Sequence, residues 1–315
     1  MANPLSRLTK PWYPATALGL EQATASIVEV DRARGKGFSL RRAATIALGD
    51  SLIQPGFDQP NVPSRSELAA VLSELATSAG LVRQKKWSVT LPGATTRTLI
   101  LTLETRPGSQ RELEEVLEWK MDRGFGVPLS ELSVSREALP KDPQGRDRYL
   151  VVATRIAVLA EYEDVFSTLG WRAGLILPRH LGEAQWLTGN GFRGDTLLVS
   201  SSEEGFTAMV FRNKQPIILR SILCEEAERE DEFFRLLLFY RDRRAADVVE
   251  AGQMLSGMLV TGEGFSKVRA SEIVNETLGG HLRALEAKDV GLHLPTKDLS
   301  FDAIAAPAGL AALSL

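Results

Sequence analysis

The sequence predicts an α/β protein with two lobes, and three observations carry this prediction. The chain has 315 residues, more than one ordinary domain needs. Three short strand patterns joined by tight turns occupy residues 17–48, and a similar series returns at residues 196–222. Amphipathic helix patterns alternate with strand patterns between these two series and after them. The repetition indicates two lobes of the same basic design.

Composition and charge are those of a soluble globular protein. Apolar residues make up 44% of the chain and charged residues 24%. The net charge of −3, without a long basic run, disfavours nucleic acid as a partner. The single Cys224 excludes an intramolecular disulfide and fits a reducing compartment. We find no apolar core of a signal peptide and no run of about 18 apolar residues. We therefore expect a cytoplasmic protein that reaches a membrane only through a partner.

The stretch Ala17–Val30, read as ALGLEQATASIVEV, predicts a β-hairpin near the start of the chain. Apolar residues surround Gly19, a polar turn follows at residues 21–26, and a second alternating strand ends the stretch. Small residues let backbone amides approach a ligand, so such a turn can cradle a phosphate. A hairpin without a ligand explains the same pattern, and the signal alone does not decide between them.

The remaining elements follow from periodicity and from turn residues. Residues 1–14 are expected to be an irregular arm, and residues 54–63 a loop rich in Pro, Gly and Asn. Ser109 is expected to cap a helix, with Glu112 at the capping-box position. Strands are predicted at residues 37–48, 85–91, 96–103, 149–154, 173–177, 196–200, 206–211, 216–222 and 258–261, with another beginning near 134. Helices are predicted at residues 65–79, 110–121, 157–169, 180–188, 225–242, 270–278 and 301–313.

In this order the elements resemble the actin-like ATPases, and among them most closely PilM, the cytoplasmic assembly protein of type IV pili. The cytoplasmic domain of the type II secretion protein GspL is a close relative. The resemblance covers nearly the whole chain and implies an actin-like, two-lobed fold. The stretches that carry it are ALGLEQATASIVEV, SLIQPGFDQPNV, KKWSVTLPGATTRTLILTL, ELEEVLEWKMDRGFGVPLSEL, YLVVATRIAVLAEYEDVFSTLGW, the strand Ile217–Ile222, the turn TGEGF at 261–265 and AGLA at 308–311.

The resemblance also implies a division of the chain. The first lobe would comprise residues 1–95 and 171–190, and a small α/β insert residues 96–170. A reduced second lobe would follow at 191–300, with a C-terminal helix at 301–315 packing on the first lobe. The family carries an extra helical subdomain between the strand ending near 222 and the helix beginning near 225. That subdomain is largely missing here.

Where this chain departs from the family, the residues that handle nucleotide are affected. Glu21 stands where the family's first phosphate loop has Asp, and Ala23 stands near a family Gly. The second loop, usually Asp-hydrophobic-Gly, is about Val199-Ser200-Ser201, and the family Asp before the helix at 180 corresponds to Pro178. The adenosine loop, usually three glycines, is Gly262-Glu263-Gly264. The vestigial nucleotide site implied by the resemblance comprises Gly19, Glu21, Gln22, Ala23, Thr24, Ser200, Ser201, Gly262 and Gly264.

The resemblance therefore implies a cytoplasmic scaffold rather than an enzyme, with no catalytic residue and no metal site. Its partner would be the cytoplasmic tail of an inner-membrane pilus protein of the PilN type, held between the first lobe and the insert around Leu91, Pro92 and Gly93. We expect no cofactor, and ATP with Mg²⁺ would be the ligand if the cleft were active. The alternatives are an active actin-fold ATPase or kinase that uses Glu21, Glu203 or Glu204, and a GspL-like domain of type II secretion.

Other candidate residues have simpler interpretations. The histidines His180, His281 and His293 lack metal-ligand spacing, and Cys224 has no nearby His to activate it. The acidic run at 225–232 suits a solvated helix N-terminus as well as a cation site. The tryptophans Trp87, Trp119 and Trp171 fit either a peptide groove or a packed core.

Overall fold

The computed structural model contains both strands and helices, and it describes residues 13–33, 36–189, 191–246, 255–295 and 299–315. The strands are β1 (Thr16–Leu20), β2 (Thr24–Arg32), β3 (Phe38–Ala47), β4 (Lys86–Leu91), β5 (Arg97–Thr102), β6 (Leu132–Leu139), β7 (Arg148–Arg155), β8 (Arg172–Pro178), β9 (Asp195–Ser202), β10 (Gly205–Arg212), β11 (Gln215–Leu223), β12 (Leu255–Gly262) and β13 (Leu292–His293). The helices are α1 (Arg65–Ser78), α2 (Gln110–Phe125), α3 (Ile156–Thr168), α4 (Arg179–Thr188), α5 (Arg229–Ala246), α6 (Lys267–Leu278) and α7 (Phe301–Ala312).

A six-stranded sheet in the order β13-β3-β2-β1-β4-β8 forms the centre of the first lobe. The predicted hairpin is confirmed: β1 and β2 are antiparallel, with Leu18 opposite Ile27. β1, β4 and β8 run parallel, so their carboxyl ends lie at one edge of the sheet. Every residue of β1 is buried, as expected for a central strand covered on both faces.

Helices cover both faces of this sheet. On one face α1 and α3 form a core that includes Leu72 and Tyr162. On the other face α4 and α7 cross so closely that a Cβ on Gly182 would clash with the carbonyl oxygen of Ala306. Trp186 Nε1 completes this contact by donating a hydrogen bond to the Ala305 carbonyl at 2.7 Å.

The helices α4 and α7 also join the two lobes. Their apolar residues, such as Trp186 and Ala308, lie in one core with Val28 of the first sheet and with Met209 and Leu259 of the second. The two sheets therefore share a continuous apolar core, and separating the lobes would expose it to water.

The second lobe is built on a four-stranded sheet in the order β11-β10-β9-β12. The predicted three-strand meander is confirmed in β9, β10 and β11. Asn213 and Lys214 in the tight turn between β10 and β11 have φ values of 51° and 67°, typical of a hairpin turn. The helices α5 and α6 pack their apolar residues on this sheet, with Phe233 and Phe265 in edge-to-face contact.

A separate three-stranded sheet, in the order β5-β7-β6, carries α2 on one face. The predicted cap of α2 is confirmed, since Ser109 Oγ accepts a hydrogen bond from Glu112 N at 3.1 Å. α3 follows β7 directly in the chain, and the sequence analysis grouped it with this unit. Its buried residues Val158, Tyr162 and Val165 pack instead in the core of the six-stranded sheet.

Some predicted boundaries shift in the structure. The polar turn predicted at 21–26 is shorter, because β2 already begins at Thr24. The helix predicted from 225 begins at Arg229, after a short 3₁₀ turn at Glu226–Glu228. Apart from residues 13 and 14, the predicted N-terminal arm lies outside the described residues. Within the described part of the chain, each helix is too short or too polar to cross a membrane.

Candidate functional site

A cleft of about 360 Å³ opens where the ends of the first and second sheets face each other. The carboxyl ends of β1 and β4 and the residue after β8 contribute from the first lobe, and the ends of β9 and β12 contribute from the second. The residues that line it are Glu21, Gln22, Ala23, Thr24, Pro55, Pro92, Gly93, Ala94, Arg179, Ser201, Ser202, Glu203, Glu204, Gly262, Glu263, Ser300, Asp302 and Ala303.

Arg179, the first residue of α4, is a buried charge in the lining of the cleft. Its Nη1 atom lies 3.1 Å from Glu21 Oε2, and its Nε atom donates to Glu183 Oε1 at 2.7 Å. The Glu183 side chain is fully buried, and its Oε2 atom has no hydrogen-bond partner among the described residues. Burial lowers the pKa of Arg179, but Glu183 and Glu21 outweigh it and hold the pKa above its ordinary value. The Arg179 guanidinium therefore forms ion pairs with two carboxylates.

Glu21 lies in the turn after β1, whose backbone is closed by a hydrogen bond from Glu21 N to Thr24 O at 2.9 Å. Burial raises the pKa of the Glu21 carboxyl from 4.5 to about 7, although Arg179 acts in the opposite direction. Repulsion by Glu183 and Glu263 adds to the increase. Near neutral pH this carboxyl is therefore divided between its protonated and ionised forms.

The second-lobe side of the cleft is held by Arg229, which is buried at the start of α5. Arg229 donates to the Glu203 carbonyl at 2.6 Å, to the Glu263 carbonyl at 3.0 Å and to Ser201 Oγ at 3.2 Å. These bonds tie the turn after β9 to the turn after β12. A hydrogen bond across the mouth then joins the lobes, from Gln22 Nε2 to Glu203 Oε2 at 2.6 Å.

The structure places six of the nine predicted nucleotide-site residues in the cleft and three outside its lining. The six are Glu21, Gln22, Ala23, Thr24, Ser201 and Gly262. Gly19 instead lets α7 approach, since a Cβ there would lie 2.9 Å from Pro307 Cγ. Ser200 is buried within β9. Gly264 makes room for Arg229, whose Nη1 atom would clash with a Cβ at that position.

The residues predicted to bind a partner lie at the end of β4. Pro92 and Gly93 line the same cleft as the nucleotide-site residues. Leu91 is fully buried, so its side chain offers no surface to a partner in this conformation. Residues predicted for two separate sites thus lie in the lining of one cleft.

Sequence reasoning missed the two arginines that organise the cleft. Arg179 and Glu183 stand four residues apart in a helix, a spacing typical of exposed ion pairs as well. Arg229 lies within the acidic run at 225–232, which suggested a solvated helix end. Nothing local to either arginine shows that its side chain is buried, because Glu21 and the partners of Arg229 come from distant turns.

The remaining candidate residues are not part of the cleft chemistry. His180 is buried against β5, and burial together with Arg179 lowers the pKa of its imidazole to about 4, so the ring is neutral. Trp87 and Trp171 are buried and in ring contact, whereas Trp119 is exposed on α2. Among the residues that the structure describes, no group of three or more His, Cys, Asp or Glu is placed to hold a metal ion.

Comparison with known proteins gives the fold. No protein-family model matches the chain, and no curated protein matches it. A chain of the solved PilM-PilN type IV pilus biogenesis complex is similar over 96% of this chain and 99% of its own, with 17% identity and a TM-score of 0.70. The cytoplasmic domain of EpsL from the type II secretion system of Vibrio cholerae matches more weakly, with 13% identity, 95% and 94% coverage and a TM-score of 0.47. The predicted actin-like fold is thus confirmed, in the PilM-like form.

Proposed function

We propose that this protein is a cytoplasmic scaffold of a type IV pilus or a related secretion system, which binds the tail of an inner-membrane assembly protein. The observation that carries the proposal is the full-length likeness to a chain solved in the PilM-PilN complex. That match extends over both lobes and the three-stranded sheet. The partner is accordingly a membrane protein of the PilN type, engaged through a short cytoplasmic segment.

The geometry of the cleft supports a scaffold without nucleotide hydrolysis. Five carboxylates line it, from Glu21, Glu203, Glu204, Glu263 and Asp302. The one arginine in the lining already pairs with Glu21 and Glu183. A nucleoside triphosphate carries several negative charges and needs unpaired donors or a metal ion to offset them. The lining therefore offers the phosphates few side-chain donors, and no group of three or more acidic, His or Cys side chains among the described residues is placed to hold a metal ion.

A half-buried apolar face of the three-stranded sheet suits a peptide partner. In β5 and β7 the side chains of Ile100, Leu150 and Val152 are half-buried. Strand alternation points them away from α2, because their neighbours Val151 and Ala153 lie in the α2 core. An extended tail can place apolar side chains on such a face and add main-chain hydrogen bonds at a sheet edge.

A binding measurement with the tail tests this proposal. We expect saturable binding of a peptide from the cytoplasmic tail of a PilN-type protein of the same organism, measured by titration calorimetry. Leu150→Asp should weaken binding by about tenfold or more, because a carboxylate would be desolvated in the contact. Val82→Asp is the matched control, since Val82 is 60% exposed elsewhere on the first lobe. Absence of saturable binding to the wild type would overturn the proposal.

A further inference from the structure

Two adjacent side chains at the start of α4 reach two different parts of the molecule. β8 ends at Pro178 and α4 begins at Arg179, with no residue between the strand and the helix. Arg179 is 6% exposed and its neighbour His180 is 2% exposed, so both side chains are enclosed by other elements. Neither can change its position without moving what it contacts.

Arg179 connects the first turn of α4 to the cleft. Its ion pair with Glu21 reaches the turn after β1 in the first lobe. Its Nη2 atom lies against the end of β12, where a Cβ on Gly262 would be 2.9 Å away. The position of this guanidinium therefore depends on both lobes.

His180 connects the same turn to the three-stranded sheet. Its Nε2 atom lies 2.9 Å from Thr98 Oγ1, and both side chains are buried. Thr98 belongs to β5, an outer strand of that sheet, and it stands opposite Val152 of β7. The hydrogen bond thus fixes β5, which carries part of the half-buried apolar face, to the first turn of α4.

The body of α4 cannot absorb a shift at its first turn by sliding. Gly182 and Gly309 bring α4 and α7 into backbone contact, since a Cβ on Gly309 would clash with the Gly182 carbonyl. Trp186 further along the helix is hydrogen-bonded to α7. If the ion pair of Arg179 changes, the first turn of α4 therefore moves and the rest of the helix does not. His180 lies in this turn and moves with it.

We propose that the first turn of α4 couples the cleft to the three-stranded sheet. The Glu21–Arg179 ion pair sets the position of this turn, and the His180–Thr98 hydrogen bond transmits that position to β5. Breaking either contact loosens the element at the other end, because coupling between two sites is reciprocal. The further consequence, that the cleft tunes the affinity of the sheet for a tail peptide, rests on the proposed function.

Hydrogen exchange of the full-length chain tests the coupling in both directions. Glu21→Gln should raise the exchange rates of the β5 amides, residues 97–102, by about fivefold or more. Thr98→Val, which removes the hydroxyl but keeps the side-chain volume, should raise exchange in the turn at residues 21–24 by a similar factor. Thr98→Ser, which keeps the hydroxyl, should behave as the wild type. Glu272→Gln is the matched control, because Glu272 pairs with Arg269 on the exposed side of α6.

The outcomes separate the coupling from the proposed function. If Glu21→Gln leaves exchange in β5 unchanged, or if Thr98→Ser behaves as Thr98→Val does, the coupling is overturned. Titration of the same variants with the tail peptide should show a change in affinity for Glu21→Gln and none for Glu272→Gln. If the wild type binds no tail, the proposed function fails, while the exchange rates still decide the coupling.

Discussion

The guanidinium of Arg179 lies 3.1 Å from the Glu21 carboxylate, and this ion pair joins the start of α4 to the turn after β1. The same arginine also binds Glu183 within its own helix. Two carboxylates share one cation in a buried site, so one of them is held at a cost in free energy. Burial is the main reason that the pKa of the Glu21 carboxyl is raised, and repulsion by Glu183 adds to it.

The first prediction is that Glu21 makes stability fall as pH rises from about 4.5 to 7. The folded protein keeps the proton on Glu21 up to about pH 7, whereas the unfolded chain releases it near 4.5. The folded state therefore binds more protons in this range, and the free energy of unfolding decreases with pH. The difference in pKa between the folded and unfolded states corresponds to about 3 kcal/mol of unfolding free energy at most. The 21% exposure of the Glu21 side chain reduces this contribution.

Urea denaturation of the wild type and of Glu21→Gln at pH 5 and pH 8 measures this effect. The amide introduced by Glu21→Gln cannot ionise, so the variant should gain stability relative to the wild type as the pH is raised. Asp289→Asn is the control for other acidic groups. Arg283 and nearby groups lower the pKa of Asp289 to about 2, so this carboxyl titrates outside the range from pH 4.5 to 7. A wild-type profile parallel to that of Glu21→Gln would contradict the assignment.

The second prediction is that millimolar Mg-ATP does not raise the melting temperature. A ligand at 100 times its Kd adds about 2.7 kcal/mol to the folded state. The acidic lining and the paired Arg179 give the phosphates few free donors, so we expect no saturable shift. Magnesium chloride with sodium sulfate at equal ionic strength is the control for salt effects. A saturable rise specific to the nucleotide would show that the cleft still binds it.

Local patterns made most of the fold predictable from sequence. The hairpin of β1 and β2, the Ser109 cap of α2 and the meander of β9 to β11 all rest on neighbouring residues. The sheet on which α3 packs could not be predicted in this way. Its apolar stripe shows that one face is buried, but nothing in the stripe says against which sheet.

The site was harder to predict, because its geometry depends on residues from distant parts of the chain. Glycines are the clearest example. Gly19 stands beside a polar turn and suggested close approach of a phosphate, and the side chains that lie closest to it are those of Ser26 in β2 and Pro307 in α7. Gly264 likewise makes room for the Arg229 guanidinium. Neither Pro307 nor Arg229 could be predicted as the neighbour of these glycines, because each comes from a distant part of the chain.

The third prediction concerns the crossing of α4 and α7. Gly309→Ala should destabilise the protein by about 3 kcal/mol, because the added Cβ would clash with the Gly182 carbonyl and backbone cannot easily move aside. The measurement is the midpoint of urea denaturation. Gly49→Ala is the matched control, since a Cβ there meets no atom within 4 Å. Equal midpoints for the two variants would mean that the helices do not cross this closely.

The last prediction concerns Asn61, which is fully buried in the loop between β3 and α1. Its Oδ1 atom accepts hydrogen bonds from Thr95 Oγ1 at 2.9 Å and from the Tyr162 hydroxyl at 3.2 Å, and its Nδ2 atom donates to the Gly56 carbonyl at 2.7 Å. Asn61→Ala would leave these buried groups without partners, each at a cost of about 1–3 kcal/mol. We expect a loss of about 3 kcal/mol or more in the free energy of unfolding, measured in urea.

The loss should be local in origin, because Asn61 holds the loop against α3 and the end of β4. Gln54→Ala in the same loop is the control, since the Gln54 side chain is exposed, and it should change stability by less than about 0.5 kcal/mol. An unchanged m-value with a lower midpoint would show that the native state is destabilised without a change in compactness. If Asn61→Ala were as stable as Gln54→Ala, this hydrogen-bond network would not hold the loop.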